Sequence, residues 1–241
     1  MPIKGVSLRK ETFLIVKEEC FMKRSVDINE ISDGRFYTAN DMVKADTGGC
    51  AGCSACCHGM GTSIILDPCD VYRLCGTLKA SFEELLQGPL ELNVVDGIIL
   101  PNLAMTGEEE RCSFLNQEGR CSVHPARPGI CRLFPLGRFY ENNAFQYFLQ
   151  VHECPKERTK IKVKKWLDTP NLKAYEQYIN KWHYFQKDLQ KMLESQSDDM
   201  RKKVSMYILQ EFYFKPYNAE MEFYGEFEQR LNMAREVFFV S

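Results

Sequence analysis

The clearest periodic pattern lies in the C-terminal third of the chain. Leu172, Tyr175, Tyr178, Ile179, Trp182, Phe185 and Leu189 recur at steps of three and four, which places them along one stripe of an α-helix. Thr169-Pro170 supplies its start. A second helix is predicted from Asp198 or Asp199 through Met206, Ile208 and Leu209, stopping near Pro216. A third runs from about Ala219 to Val237. An aromatic stripe of this kind predicts core packing rather than a cofactor site.

Upstream the pattern breaks into short pieces. Asp67-Pro68 reads as an N-cap and first helical residue, with Gly76 as the stop. Ser81 and Glu84 form a capping box for another short helix that ends near Gly88 and Pro89. Leu92, Val94, Ile98 and Leu100 flank Asp96-Gly97 as a hairpin. CSFLNQEGRCSV reads as a second hairpin turning near Glu118-Gly119, and Phe139 to Val151 as a third turning at Asn142-Asn143. The expected fold is α+β: an irregular, metal-organised core of short hairpins and helices under a C-terminal helical layer.

Cysteine placement sharpens that division. Ten of the 11 cysteines fall between Cys50 and Cys154, and the other is Cys20. The reading is a lead-in (residues 1–45), a cysteine-rich domain (46–155) and a helical extension packed on it (156–241). The start of the chain shows no secretory signal, because the apolar stretch Phe13 to Val16 is short and runs into Lys17, Glu18 and Glu19. No segment approaches the roughly 20 apolar residues of a spanning helix. The expectation is a cytoplasmic protein with no membrane association, whose thiols serve metal rather than disulfides.

The net charge of -2 argues against nucleic acid as a partner. The basic runs Lys160, Lys162, Lys164, Lys165 and Arg201 to Lys203 read as solvated helix faces. A protein partner for the helical tail is left open.

The chemistry concentrates in CAGCSACCHGMG, which holds Cys50, Cys53, Cys56 and Cys57. A C-x2-C step lets two thiolates converge on one metal, and the glycines Gly48, Gly49, Gly52, Gly59 and Gly61 let the backbone approach it closely. Cys56 and Cys57 are adjacent, so one metal rarely takes both; two centres or one polynuclear centre follow. Cys112 and Cys121 fall on opposite arms of the second predicted hairpin and can face one another. Cys131 follows Pro128-Gly129, a helix start, and Cys154 precedes Pro155. These eight are the candidate metal ligands. They suit an iron–sulfur cluster, with a 4Fe–4S cluster favoured, or zinc.

Cys69 and Cys75 read as free buried thiols. His58, His124 and His152 each lie near a cysteine, and each reads as packing or outer support before direct ligation. Arg127, Arg132 and Arg138 surround Cys131 in sequence. They either pair with acids or balance an anionic centre or ligand, and Arg127 and Arg132 are the candidate cofactor-binding residues.

The segments CAGCSACCHGM, CSFLNQEGRCSVHPARPGICRLFP and HECP together resemble the YkgJ-type cysteine-cluster proteins, zinc- or iron-chelating domains with a C-x2-C-x2-C-C signature. The resemblance spans roughly Asp46 to Pro155. It implies metal chelation through Cys50, Cys53, Cys56, Cys57, Cys112, Cys121, Cys131 and Cys154. The flagellin lysine N-methylases look like distant relatives, which implies S-adenosylmethionine as a cofactor under that alternative.

Three functions follow. The first is a metal-cluster protein with a redox or cluster-carrying role. The second is an iron–sulfur-dependent lysine N-methyltransferase-like enzyme, and the third a zinc-stabilised interaction module. No GxGxxG-like loop, HExxH or radical C-x3-C-x2-C motif supports a specific reaction.

Overall fold

The computed structural model describes residues 28–48, 53–218 and 220–240. Cys20, Cys50, Gly49, Gly52, Ala219 and the Phe13 to Val16 stretch lie outside them. The fold is α+β, built, among the described residues, from four small antiparallel sheets and a C-terminal layer of helices.

Residues of the lead-in form α1 (Ile28–Ile31), β1 (Ser32–Tyr37) and β2 (Met42–Asp46). β1 closes a three-stranded sheet of order β1-β8-β7 with β7 (Leu136–Glu141) and β8 (Ala144–Gln150). β2 pairs with β9 (Thr159–Lys162), which leads into α5 (Val163–Leu167). Lys160 and Lys162 are therefore exposed on a strand rather than on a helix face; only Lys164 and Lys165 are helical.

The middle begins with α2 (Pro68–Leu78) and α3 (Phe82–Leu85). Both start with reciprocal capping boxes, Asp67 with Asp70 and Ser81 with Glu84, which satisfy amides that a helix leaves unpaired at its start. α2 does not stop at Gly76. It continues to Leu78 and is closed by Lys79 at φ 55°, whose amide bonds back to the Cys75 carbonyl. β3 (Leu90–Val95) and β4 (Ile98–Leu103) pair in full register around Asp96-Gly97, and both turn residues have positive φ (50° and 83°). The β7–β8 turn uses Asn142 and Asn143 the same way, at φ 51° and 58°.

The second predicted hairpin differs. Its strand β6 (Arg111–Cys112) pairs not with the Cys121 arm but with β5 (Met105–Thr106), placing Cys112 opposite Met105. The CSFLNQEGRCSV loop closes through a single Leu115–Cys121 bridge and through the Asn116 carboxamide, whose Oδ1 accepts the Glu118 and Arg120 amides. α4 (Gly129–Leu133) then precedes β7.

The helical layer comprises α6 (Leu172–Leu193), α7 (Asp198–Leu209) with a π-helical turn over Gln210–Phe214, and α8 (Phe223–Phe239). The predicted stripe is buried: Tyr175, Tyr178, Ile179, Trp182, Phe185 and Leu189 face one core that also takes Leu66, Leu74, Phe114 and Val123 from the middle. Trp182 packs on Phe212 at 5.0 Å between ring centroids and Tyr178 on Phe227 at 4.5 Å. Polar bonds lock the layer down: Tyr178 Oη donates to Asp67 Oδ1 at 2.9 Å, and Tyr213 Oη to the Leu66 carbonyl at 3.0 Å. Each fully buried aromatic here is worth about 1.5–3 kcal/mol of transfer free energy, so the layer is part of the core that supports the cysteine region. Among the described residues no helix is long and apolar enough to cross a membrane.

Candidate metal centre

Six candidate ligands converge. Cys53, Cys56, Cys57, Cys112, Cys121 and Cys131 all line one cavity of about 300 Å³. Four separate pieces of chain deliver them. A 3₁₀ turn, Ala55–Cys57, carries Cys56 and Cys57 and is pinned by the Cys57 amide donating to the Ser54 carbonyl at 2.8 Å. The turn docks on β6 through the His58–Arg111 bridge and the Gly59 amide, which donates to the Glu110 carbonyl at 3.1 Å. Gly59 sits at φ 66°, a conformation costly for other residues.

β6 brings Cys112, the Asn116 loop brings Cys121, and α4 brings Cys131. α4 is fixed at its first residue: the Gly129 amide donates to Asp70 Oδ1 at 2.8 Å. Gly129 is required there, since a Cβ would fall 2.0 Å from the Tyr175 hydroxyl oxygen.

The rest of the wall is largely apolar, with Ile64, Leu103, Met105, Phe114, Leu115 and Val123. Burial raises the thiol pKa of Cys112, Cys121 and Cys131, and neighbouring thiols raise each further. The Phe114 and Val123 amides oppose this by donating to the Cys112 and Cys121 sulfurs. Cys56 and Cys57 split: the Cys57 thiol donates to Cys56 and holds it down to about 7, while Cys57 itself is driven up by that bond and by burial. Cys57, Cys112, Cys121 and Cys131 thus each sense other thiols of the cavity, and a bound cation is what would let several ionise together.

Among the described residues no three His, Cys, Asp or Glu side chains already form a closed ligand set. The thiols share a cavity wall, and the donor set fits a thiophilic metal by its chemistry: soft sulfur donors, amide donation to sulfur, and low polarity.

The remaining expectations divide. Cys50 lies outside the described residues. Cys154 is half-buried but does not line the cavity, although its neighbour Glu153 does. Cys69 is buried in α2, whereas Cys75 is only half-buried. His124 lines the cavity, and His58 instead places Nδ1 3.0 Å from the Ser54 carbonyl. Arg127 lines the thiol cavity. Arg132 does not: its Nη1 donates to the Asp168 carbonyl at 3.0 Å and its Nη2 to the Pro125 carbonyl. Arg138 donates to the Tyr175 hydroxyl at 3.2 Å. Asp70, which positions Cys131, was not read from the sequence. Its signal was an acid at the third helical position after the Asp67 cap.

Residues 49–161 match the family model described as "CxxCxxCC: Putative zinc- or iron-chelating domain". No curated protein and no solved structure matches the chain.

Proposed function

We propose, from the match of residues 49–161 to the model of zinc- or iron-chelating domains, that the thiol cavity holds an iron–sulfur cluster. The observation that carries this reading is the lining of one cavity by six cysteines. A single structural zinc takes four ligands, as does one iron–sulfur cluster, so six thiols around one space exceed a mononuclear site and are enough for a polynuclear centre with two thiols beyond its four ligands. Cys53, Cys56, Cys57, Cys112, Cys121 and Cys131 are the residues that would hold it, with Cys50 and Cys154 as the further candidates from the motif. A cluster bound there would supply one-electron redox chemistry.

The chain's own contribution is then to exclude water with Leu103, Phe114 and Leu115, to donate amides to the Cys112 and Cys121 sulfurs, and to set Arg127 beside the thiols. Arg127 offsets the negative charge that thiolates bring.

The test is spectroscopic. Protein purified without oxygen is expected to be brown, to absorb in the visible through sulfur-to-iron charge transfer, and to contain acid-labile sulfide. A colourless protein carrying stoichiometric zinc and no sulfide would overturn the cluster assignment while leaving metal chelation intact.

A further inference from the structure

A second, larger cleft of about 850 Å³ adjoins the thiol cavity, and His124 and Arg127 line both. Its walls come from α2, from the 124–132 segment and from residues 212–217. The volume lies in the range of small-molecule sites.

Three guanidinium groups line it, those of Arg73, Arg127 and Arg132. Among the described residues none of the three makes an ion pair with a carboxylate. Glu83 and Asp168 also border the cleft, but Asp168 meets Arg132 through its main-chain oxygen rather than its carboxylate. Arg132 is held rigid by that bond and by the Pro125 carbonyl, which leaves its Nε unused.

Orphan polar atoms gather at the same place. Five buried side-chain polar atoms lack a partner among the described residues, and three of them, Arg127 Nε, Arg132 Nε and the Tyr217 hydroxyl, belong to residues of this cleft. Buried polar groups are nearly always satisfied, so such a concentration calls for a ligand. Tyr72 also lines the cleft, stacked on Phe223 at 5.0 Å through one face and partly exposed, whereas the Tyr217 ring is already capped by the Arg230 guanidinium at 3.9 Å.

We propose that this cleft binds a phosphorylated molecule of nucleotide size, its phosphate on Arg73 and Arg127 and its ring against Tyr72. Arg132 offers a further donor. Three guanidiniums supply more donors than the two oxygens of one carboxylate accept, and they suit the three terminal oxygens of a phosphate monoester. The inference goes beyond metal chelation and holds whichever metal the thiols carry.

Calorimetric titration of the full-length, metal-loaded protein tests it with adenosine monophosphate, adenosine, inorganic phosphate and succinate. Adenosine monophosphate is expected to bind saturably and about tenfold or more tighter than either fragment, because it engages both walls. Arg73→Gln is expected to weaken it about tenfold or more with metal content unchanged. Tyr72→Ala, at an exposed position, is expected to weaken adenosine monophosphate but not inorganic phosphate. Absence of saturable binding, tighter binding of succinate, or an affinity untouched by Arg73→Gln would each overturn the proposal.

Discussion

Asp70 and Gly129 are joined by a 2.8 Å hydrogen bond from the Gly129 amide to Oδ1, and the other carboxylate oxygen of Asp70 accepts the Asp67 amide at 3.2 Å. One buried side chain therefore closes the start of α2 and fixes the start of α4, the turn that carries Cys131. Residues 59 positions apart in sequence meet here with no side chain of Gly129 in between. Asp70→Ala leaves both amides without that acceptor. The expected cost is about 1–3 kcal/mol of stability, read by urea unfolding, with a drop in bound metal.

Gly129→Ala tests the same junction from the other side. The added Cβ would lie 2.0 Å from the Tyr175 hydroxyl oxygen, and Tyr175 is buried. Overpacking of this kind costs about 1–3 kcal/mol. Tyr175→Phe in the same chain removes the clashing oxygen and is expected to recover part of the loss, which a double-mutant cycle measures.

The paired acids set a pH dependence. Burial raises the carboxyl pKa of Asp67 and Asp70, and the Asp67 charge pushes Asp70 further up. A carboxyl whose pKa is higher folded than unfolded binds protons preferentially in the folded state. Its stabilising contribution is full below the usual carboxylate value of 3.8 and is lost as pH rises through the raised value. Asp67→Asn keeps an Oδ1 acceptor for the Asp70 amide and the Tyr178 hydroxyl while removing one charge. Its stability relative to the parent is expected to improve as pH rises from acid to neutral. A pH-independent difference between the two unfolding curves would contradict this account.

Cysteine substitutions rank by position. Cys131→Ser and Cys112→Ser remove thiols from the cavity wall, whereas Cys69→Ser alters a buried thiol in α2 away from it. The first two are expected to lower bound metal per chain, and Cys69→Ser to leave it unchanged. Cys154, off the cavity wall, is expected to cost less metal than Cys131. Elemental analysis of each purified variant reads the order directly.

Local rules made much of the fold legible. Asp96-Gly97 and Asn142-Asn143 announced their turns because these residues tolerate positive φ, and Asp67 and Ser81 announced helix starts because their side chains accept amides. The stripe from Tyr175 to Leu189 was readable because burial follows the helical period. Gly76 misled because the stop depends on which residue takes the left-handed conformation, and Lys79 does. The pairing of Cys112 with Met105, rather than across to Cys121, depends on β5, a strand of two residues with no periodic signal. The partners of β1 and β2 lie more than 100 residues away, beyond any local pattern. Convergence of the thiols was expected from the motif, but Asp70, Gly129 and the neighbouring arginine cleft emerge only from the packing of distant segments.

Thiols around one cavity bind the metal in the reading proposed above. That reading is tested most directly by metal and sulfide analysis of oxygen-free parent protein beside the Cys112→Ser, Cys131→Ser double variant, with circular dichroism confirming that both fold. Iron and acid-labile sulfide are expected in the parent, with loss of most of both in the variant. A folded variant that retains the parent's metal content would contradict that reading.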